Sequence, residues 1–382
     1  MQMTLEPVKP VTDELARIEV LAGISIVIPT YKEVQNIPLI LERIDQLRRM
    51  HGLTIEVIFA DDNSQDGSVE AVEASGFDWA RILVRTEDRG LSQAVIEGFR
   101  NARHPILVCM DCDLSHPVDV IPQMVLALAT GQQFVLGSRY VPGGSTDDDW
   151  GIFRYLNSRV ATWLARPLTR VKDPMSGFFA LRRADFERAE ELNPVGYKVA
   201  LEIIVKCGFE NVAEVPIHFS DRALGESKLT LREQLKYIKH LRRLYIHKFA
   251  NAMYFLQFLV VGASGVVVNL STLTVLQLMG LADAICLAGG IATSVVTNFL
   301  LNRRFTFSYA RDRNIWKQFA GFVTVSSLGI AVNYGVALGV AGSALAQGRF
   351  GLHLSALAGI ACGMLFNYIG NRYVIFRKTH LR

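Results

Sequence analysis

The sequence predicts an α/β domain built on a mostly parallel sheet, followed by an all-α domain of four transmembrane spans. Three observations predict it. Through the first half, short apolar runs of strand length alternate with stretches of helical periodicity. Charged residues recur every few positions up to about Lys248 and then become scarce. The acidic clusters of the first half stand where apolar runs stop, which in a parallel sheet is the edge that binds ligands.

Ile24-Ser-Ile-Val-Ile-Pro29 is a run of buried-strand type. A polar turn, Thr30-Tyr-Lys-Glu33, leads into a helix marked by Ile37, Ile40, Leu41, Ile44 and Leu47. Ile55-Glu-Val-Ile-Phe-Ala60 is a second strand and stops on Asp61-Asp62. Arg81 to Val84 is a third strand, Leu91 to Arg100 a helix, and Pro105 to Met110 a fourth strand that stops on Asp111. This alternation predicts the parallel sheet.

Leu229 to Phe249 carries apolar residues at 231, 235, 238, 241, 245 and 249, with Arg232, Lys236, Lys239, Arg242, Arg243 and Lys248 between them. A basic amphipathic helix next to a membrane span is expected to lie in the headgroup plane; the alternative is an ordinary surface helix of the first domain. Beyond it, Phe249 to Ala282, Ala284 to Asn302, Gln318 to Gly348 and Phe350 to Asn371 contain no Asp, Glu, Lys or Arg. A bilayer core needs about 20 apolar residues in a helix, and each stretch is of that order. The domain plan is therefore an extension (1–23), an α/β domain (24–228), a juxtamembrane helix (229–250) and a four-span domain (251–382).

The membrane half repeats itself. Asn298-Phe-Leu-Leu-Asn302-Arg303, with Phe307 after it, matches Asn367-Tyr-Ile-Gly-Asn371-Arg372 with Phe376. Phe258, Gly265 and Asn269 are echoed by Phe322, Gly329 and Asn333. Two similar helical hairpins are expected. The connection between the second and third spans holds Arg303, Arg304, Arg311, Arg313 and Lys317 against Asp312 alone, and the tail holds Arg372, Arg377, Lys378 and Arg382. The positive-inside rule puts that loop and both termini in the cytoplasm. Met1 to Gly23 has no apolar core of signal type, so the α/β domain is expected there as well.

A formal net charge of +4 gives no footing for nucleic-acid binding. Five cysteines do not make a disulfide framework, and Cys109-Met-Asp-Cys112 overlaps a strand with no second pair, which argues against a zinc or redox site. The chemistry is expected in carboxylates and cations. Asp111-Cys-Asp113 at a strand end can share a divalent cation that bridges the phosphates of a nucleotide diphosphate. Alone, such a pair is equally a solvated acidic turn. Asp61-Asp-Asn-Ser-Gln-Asp-Gly67 can accept hydrogen bonds from a base or ribose, or can be an Asx-rich turn. Asp173-Pro-Met-Ser176-Gly177 is a compact turn. Arg222 and Lys228 flank a Gly-containing loop and can hold a lipid phosphate or meet anionic headgroups.

Taken together and in order, Val27-Ile-Pro-Thr-Tyr-Lys-Glu33, Asp61 to Gly67, Met110-Asp-Cys-Asp-Leu-Ser-His-Pro117, Gly137-Ser-Arg-Tyr140, Asp173 to Gly177 and Gly225-Glu-Ser-Lys-Leu229 resemble the dolichyl- or polyprenyl-phosphate mannosyltransferases, inverting family-2 glycosyltransferases of GT-A fold. The four-span half resembles the GtrA-like membrane domains. The resemblance implies that Pro29, Tyr31, Glu33, Asp61 and Asp62 hold the base and ribose. It implies that Asp111 and Asp113, with Ser115, bind Mg²⁺ or Mn²⁺, and that Arg139 faces the phosphates. Arg222, Lys228 and Ser176 would serve the acceptor phosphate. Asp113, Arg222 and Lys228 would carry catalysis. Cys112 replaces the small residue usual between the two aspartates. The implied partners are a GDP-mannose donor, a polyprenyl phosphate acceptor and the lipid bilayer, without nucleic acid; self-association is left open. A UDP-glucose-dependent glucosyltransferase and a lipid-linked sugar flippase are the alternatives.

Overall fold

The computed structural model describes residues 23–147, 152–189, 192, 198–220, 231–343 and 350–377. The chain divides into two compact units, Met1–Lys248 and Phe249–Arg382. The helix Leu231–Lys248 belongs to the first unit, so the division falls two residues before the end of the 229–250 region read from sequence.

In the first unit seven strands form one sheet: β1 (Ile24–Thr30), β2 (Ile55–Asp61), β3 (Ala80–Val84), β4 (Ile106–Cys109), β5 (Phe134–Ser138), β7 (Phe179–Arg182) and β8 (Val212–Pro216), in the spatial order β3-β2-β1-β4-β7-β5-β8. A short pair, β6 (Ser145–Thr146) with β9 (His218–Phe219), stands apart. All the pairings of the large sheet are parallel except those of β7 with β4 and β5. Ile26, Ile28, Val57 and Phe59 enter the core on one face, and Val27, Ile58 and Ala60 enter the core on the other. Strands buried on both faces read as continuous apolar runs, which is how β1, β2 and β4 were legible in sequence; β5, β7 and β8 were not read there.

Helices cover both faces. α1 (Ile37–His51) and α4 (Ile121–Ala129) pack on the first; α3 (Leu91–Asn101) and α7 (Val199–Lys206) pack on the second. α2 (Ser68–Ala74) links β2 to β3. A third cluster joins α5 (Ile152–Ala165), α7 and α8 (Leu231–Lys248) through Ala165, Leu201, Val205, Tyr237, Leu241 and Leu244. The hydroxyl of Tyr237 donates to the Ala161 carbonyl at 2.7 Å, and that of Tyr245 to the Leu164 carbonyl at 2.7 Å. The face of α8 that packs is thus Tyr237, His240, Leu241 and Leu244, while Leu235 and Ile238 stay exposed. Of the stripe read from sequence, Leu241 and Tyr245 pack and Leu235 and Ile238 do not; Tyr237, His240 and Leu244 complete the packed face.

The second unit contains four helices of membrane-spanning length and composition: Ala250–Leu278, Asp283–Thr306, Ile315–Ala341 and Gly351–Ile375. Their α-helical parts are α9 (Ala250–Leu278), α10 (Asp283–Leu301), α11 (Ile315–Ala341) and α12 (Gly351–Gly370). Between α6 (Arg183–Glu187) and this unit no other apolar span of that length occurs among the described residues.

The internal repeat has a structural cause. On α9, Gly265 faces Asn298 of α10, and Asn269 faces Gly290 in return. On α11, Gly329 faces Asn367 of α12, and Asn333 faces Gly359. Each hairpin is drawn together by two reciprocal glycine–asparagine contacts, the small-residue packing that helices use in lipid. Each hairpin then ends in a π-helical turn, Asn302–Thr306 and Asn371–Ile375. The amides of Asn302 and Asn371 donate back to the carbonyls of Asn298 and Asn367 at 3.0 and 2.8 Å. Phe307 and Phe376 close the two turns and stack on each other, their centroids 4.9 Å apart.

Candidate active site

The carboxyl edge of the sheet collects the residues singled out from sequence. Lys32, Asn63, Gln65, Asp88 and Leu114 all have positive φ, between 45° and 62°, and all lie in loops that leave β1, β2, β3 or β4 at this edge. Non-glycine residues in that region carry backbone strain, which collects at functional sites.

Two loops are laced together on the β1–β2 side. The Lys32 N–H donates to Ser64 Oγ at 2.8 Å and the Val34 N–H to Asp66 Oδ2 at 3.2 Å. Burial alone would push the Asp66 carboxyl up, but hydrogen bonds from Ser68 and Val34 outweigh it and hold the pKa below the usual value. Asp61 accepts from the backbone and hydroxyl of Ser64. Asp62 is paired with buried Arg85 and accepts from the Gly90 N–H at 2.6 Å. Both carboxylates thus have intramolecular partners that shape the loop. Beside them, Asp61, Asn63, Gln65, Asp66, Glu70 and Val84 help line a cavity of about 350 Å³. Tyr31 remains exposed, with Arg89 5.3 Å from its ring, and Pro29 is buried at the end of β1. Glu33 accepts from the Asn36 amide at 2.6 Å.

The Asp111–Asp113 turn follows β4. Its backbone is set by His116, whose Nδ1 accepts from the Asp111 N–H at 3.0 Å while its ring stacks on Phe178. Burial pushes the pKa of His116 down, so the ring is neutral and Nδ1 is free to accept. Ser115 donates through both N–H (3.2 Å) and hydroxyl (2.5 Å) to Asp113 Oδ1. In this arrangement the serine orients a carboxylate oxygen. Burial also pushes the Cys109 and Cys112 thiols well up.

On the other side of β4 stands β7. Because it runs antiparallel, the residues before it arrive at the same edge as the ends of its parallel neighbours. The 173–177 turn therefore reaches the aspartates. A Cβ on Gly177 would sit 3.3 and 3.4 Å from the two Asp111 oxygens and would crowd that carboxylate. Ser176 is buried and accepts from the Phe178 N–H at 3.2 Å. Asp173, fully buried, grips Arg139 through Nε at 2.7 Å, Nη2 at 2.8 Å and the backbone N–H at 3.1 Å. Glu214 accepts from the N–H groups of Lys172 and Asp173 at 2.8 and 2.9 Å.

Sequence reasoning missed three members of this cluster. Asp173 and His116 were inside motifs that had been singled out, without a role. Lys198, buried at the start of α7, had no signal at all; burial and then Arg139 push its ammonium down to about 7, against the pull of Asp173 and Asp111. Arg222 and Lys228 lie outside the described residues. Among the described residues no three His, Cys, Asp or Glu side chains form a ready-made metal cage. Two carboxylates at a strand end nevertheless match an ion such as Mg²⁺, which binds through one or two carboxylates and completes its shell with substrate phosphates and water.

The carboxylates, the Arg139–Asp173 pair and the 173–177 turn thus gather at the edge where mostly parallel sheets bind ligands. Residues 25–189 match the family described as Glycosyl transferase family 2, and residues 257–376 match the GtrA/DPMS transmembrane domain. The chain is 36% identical over 361 residues to a dolichol-phosphate mannosyltransferase of Pyrococcus furiosus, covering 92% of this chain and 98% of that one. It is 43% identical over 235 residues to the dolichol-phosphate mannosyltransferase of Mycosarcoma maydis, covering 59% of this chain and 80% of the other. Among solved structures, a mannosyl-3-phosphoglycerate synthase from Rubrobacter xylanophilus superposes with a TM-score of 0.50 at 19% identity, over 62% of this chain and 79% of that one. That likeness establishes the GT-A fold. The chain belongs to the dolichol-phosphate mannosyltransferase family, as a family-2 glycosyltransferase domain followed by a GtrA/DPMS membrane domain.

Proposed function

We propose that this protein transfers mannose from GDP-mannose to a polyprenyl phosphate at the cytoplasmic face of a membrane, with inversion at the anomeric carbon. The observation that carries the reading is the convergence of Asp111 and Asp113 with the Arg139–Asp173 pair and Gly177, in a chain that also holds four membrane-length helices.

Asp111 and Asp113 would hold Mg²⁺ or Mn²⁺, and such an ion neutralises the charge that builds on a departing nucleotide diphosphate. Ser115 and His116 keep the two carboxylates in place by hydrogen bonds to Asp113 and to the Asp111 backbone. Arg139, fixed by Asp173, presents permanent positive charge in a fixed direction; charge prepositioned in this way stabilises a transition state without reorganising. Pro29, Tyr31, Glu33, Asp61 and Asp62 belong to the nucleotide side, next to the cavity at the β2 end. The acceptor phosphate is already anionic, so its oxygen can attack the anomeric carbon without a general base as the bond to the GDP oxygen breaks. Arg222 and Lys228 are assigned to that phosphate, with Ser176 on the same side.

The test is turnover in proteoliposomes with polyprenyl phosphate and labelled nucleotide sugars. GDP-mannose is expected to give product and UDP-glucose little, with loss of turnover in chelator. Asp113→Ala should lower the rate by at least about a hundredfold while the chain inserts and elutes as the wild type. Equal rates with UDP-glucose would move the donor to the glucosyl branch, and full activity in chelator would remove the metal from the two aspartates.

A further inference from the structure

The membrane unit holds a cavity of about 280 Å³ walled by all four of its long helices. Its lining follows the internal repeat. Phe258 and Phe322 line it from equivalent positions, as do Gly262 and Ser326, and as do Asn298 and Asn367; Asn302 joins them. No Asp, Glu, Lys, Arg or His is among the lining residues. A cavity built from both copies of a repeat is where membrane proteins with internal repeats place ligand sites.

Its polar groups have a definite sense. The side-chain oxygens of Asn298, Asn302 and Asn367 are buried and accept no hydrogen bond from the described residues. Asn302 is 2% exposed, and its Nδ2 donates to the Asn298 carbonyl, so exchanging its oxygen and nitrogen would set two oxygens face to face. The orientation of that amide is therefore settled by its neighbour. A buried acceptor without a donor is costly, and more so where lipid rather than water surrounds the helix bundle. Three such oxygens among the lining residues, two from the second long helix and one from the fourth, call for a ligand that brings donors.

From this geometry we infer that the cavity binds a neutral headgroup rich in hydroxyls, a sugar ring or another polyol. Hydroxyls supply the donors that the amide oxygens lack. An anion would face those oxygens, and a cation would enter a low-dielectric space with no countercharge. The volume is several times the roughly 30 Å³ share of one water, so a small ring fits where a single bridging water would not fill it. Phe258 and Phe322 offer apolar walls for the C–H faces of such a ring. The site is separate from the carboxylate edge of the first unit and does not depend on what that edge transfers.

The experiment uses the full chain in lipid nanodiscs and radiolabelled octyl mannoside below its micelle concentration, corrected for partition into empty nanodiscs. Saturable binding is expected. Gly262→Leu fills the cavity from one wall; because a Cβ there meets nothing within 4 Å, this variant should melt and elute like the wild type. It should weaken binding at least tenfold, and Asn298→Leu should do the same. Competition by free mannose identifies a soluble sugar as a sufficient ligand, whereas competition by octyl mannoside alone identifies a lipid-anchored one. Absence of saturable binding overturns the inference. So does unchanged binding in a folded Gly262→Leu chain, or displacement by octanol as effective as by octyl mannoside, since either leaves only a water-filled or greasy gap.

Discussion

The Asp173 carboxylate has two jobs, orienting the Arg139 guanidinium and capping the Arg139 backbone, and Glu214 holds the residue in turn through its N–H. The pair is buried on both sides, with Asp173 fully inaccessible and the Arg139 side chain 10% exposed. Removing one partner of a buried ion pair leaves an uncompensated charge and typically costs about 3–5 kcal/mol. Asp173→Asn should therefore destabilise the chain by a few kcal/mol, read as a lower denaturant midpoint in detergent, besides lowering turnover. Arg139→Lys should not restore full function, since an ammonium cannot reproduce the two-pronged grip. The neighbouring Gly177 makes a finer test. Gly177→Ala brings a methyl to within 3.3 Å of Asp111, and a lowered rate at unchanged melting temperature is the expected outcome. These roles were partly visible in sequence, since Asp173 and Gly177 sat in one compact turn. Their partners were not, because the Arg139–Asp173 bond joins residues 34 positions apart.

At the scale of elements, α8 shows how a helix can use more of its surface than its aliphatic stripe suggests. His240 is 1% exposed and faces Glu202, Lys198 and Lys206 from α7 and its start, with Arg243 on its own helix. Burial, partly opposed by Glu202, pushes its pKa below the ordinary 6.5. The unfolded form then takes up a proton that the folded form refuses. Stability from this site is complete above about pH 6.5 and falls as the pH drops through that value towards the depressed folded one. Protection of the α8 amides, corrected for the intrinsic pH dependence of exchange, should fall between pH 7 and pH 5.5, and His240→Phe should remove most of that slope. The membrane hairpins give the second test at this scale. A Cβ at Gly265 would collide with the Asn298 amide, so Gly265→Ala should cost about 1–3 kcal/mol by overpacking. Gly262→Ala, where a Cβ would meet nothing within 4 Å, should leave the melting temperature in detergent nearly unchanged.

For the molecule as a whole, the distribution of basic residues carries an expectation about the bilayer. The connection around Arg311 should be reachable from the same side as the catalytic unit, and Asp283 only from the opposite side. Single cysteines at these positions, in a chain freed of its own exposed Cys362, should label from opposite faces of sealed vesicles. Labelling of both from one face would remove the four-span topology.

Fold class, strand ends and the four spans were determined by the sequence itself, because each is written in local order. Ile24 to Thr30 and Ile55 to Asp61 are apolar runs because both faces of their sheet are covered, and the membrane helices lack charge over a bilayer's thickness. The tertiary structure alone decided which of these pieces meet. β7 enters the sheet antiparallel between β4 and β5, and that single reversal carries the 173–177 turn to Asp111. Lys198 joins the same cluster from a helix start with no motif around it. In the membrane unit the repeat was legible, yet its meaning, asparagine seated on glycine and two phenylalanines stacked, appeared only with the helices packed. The physical reason is common to all three. Periodicity and hydropathy are properties of neighbours along the chain, whereas strand order and helix contact bring together residues that no local pattern relates.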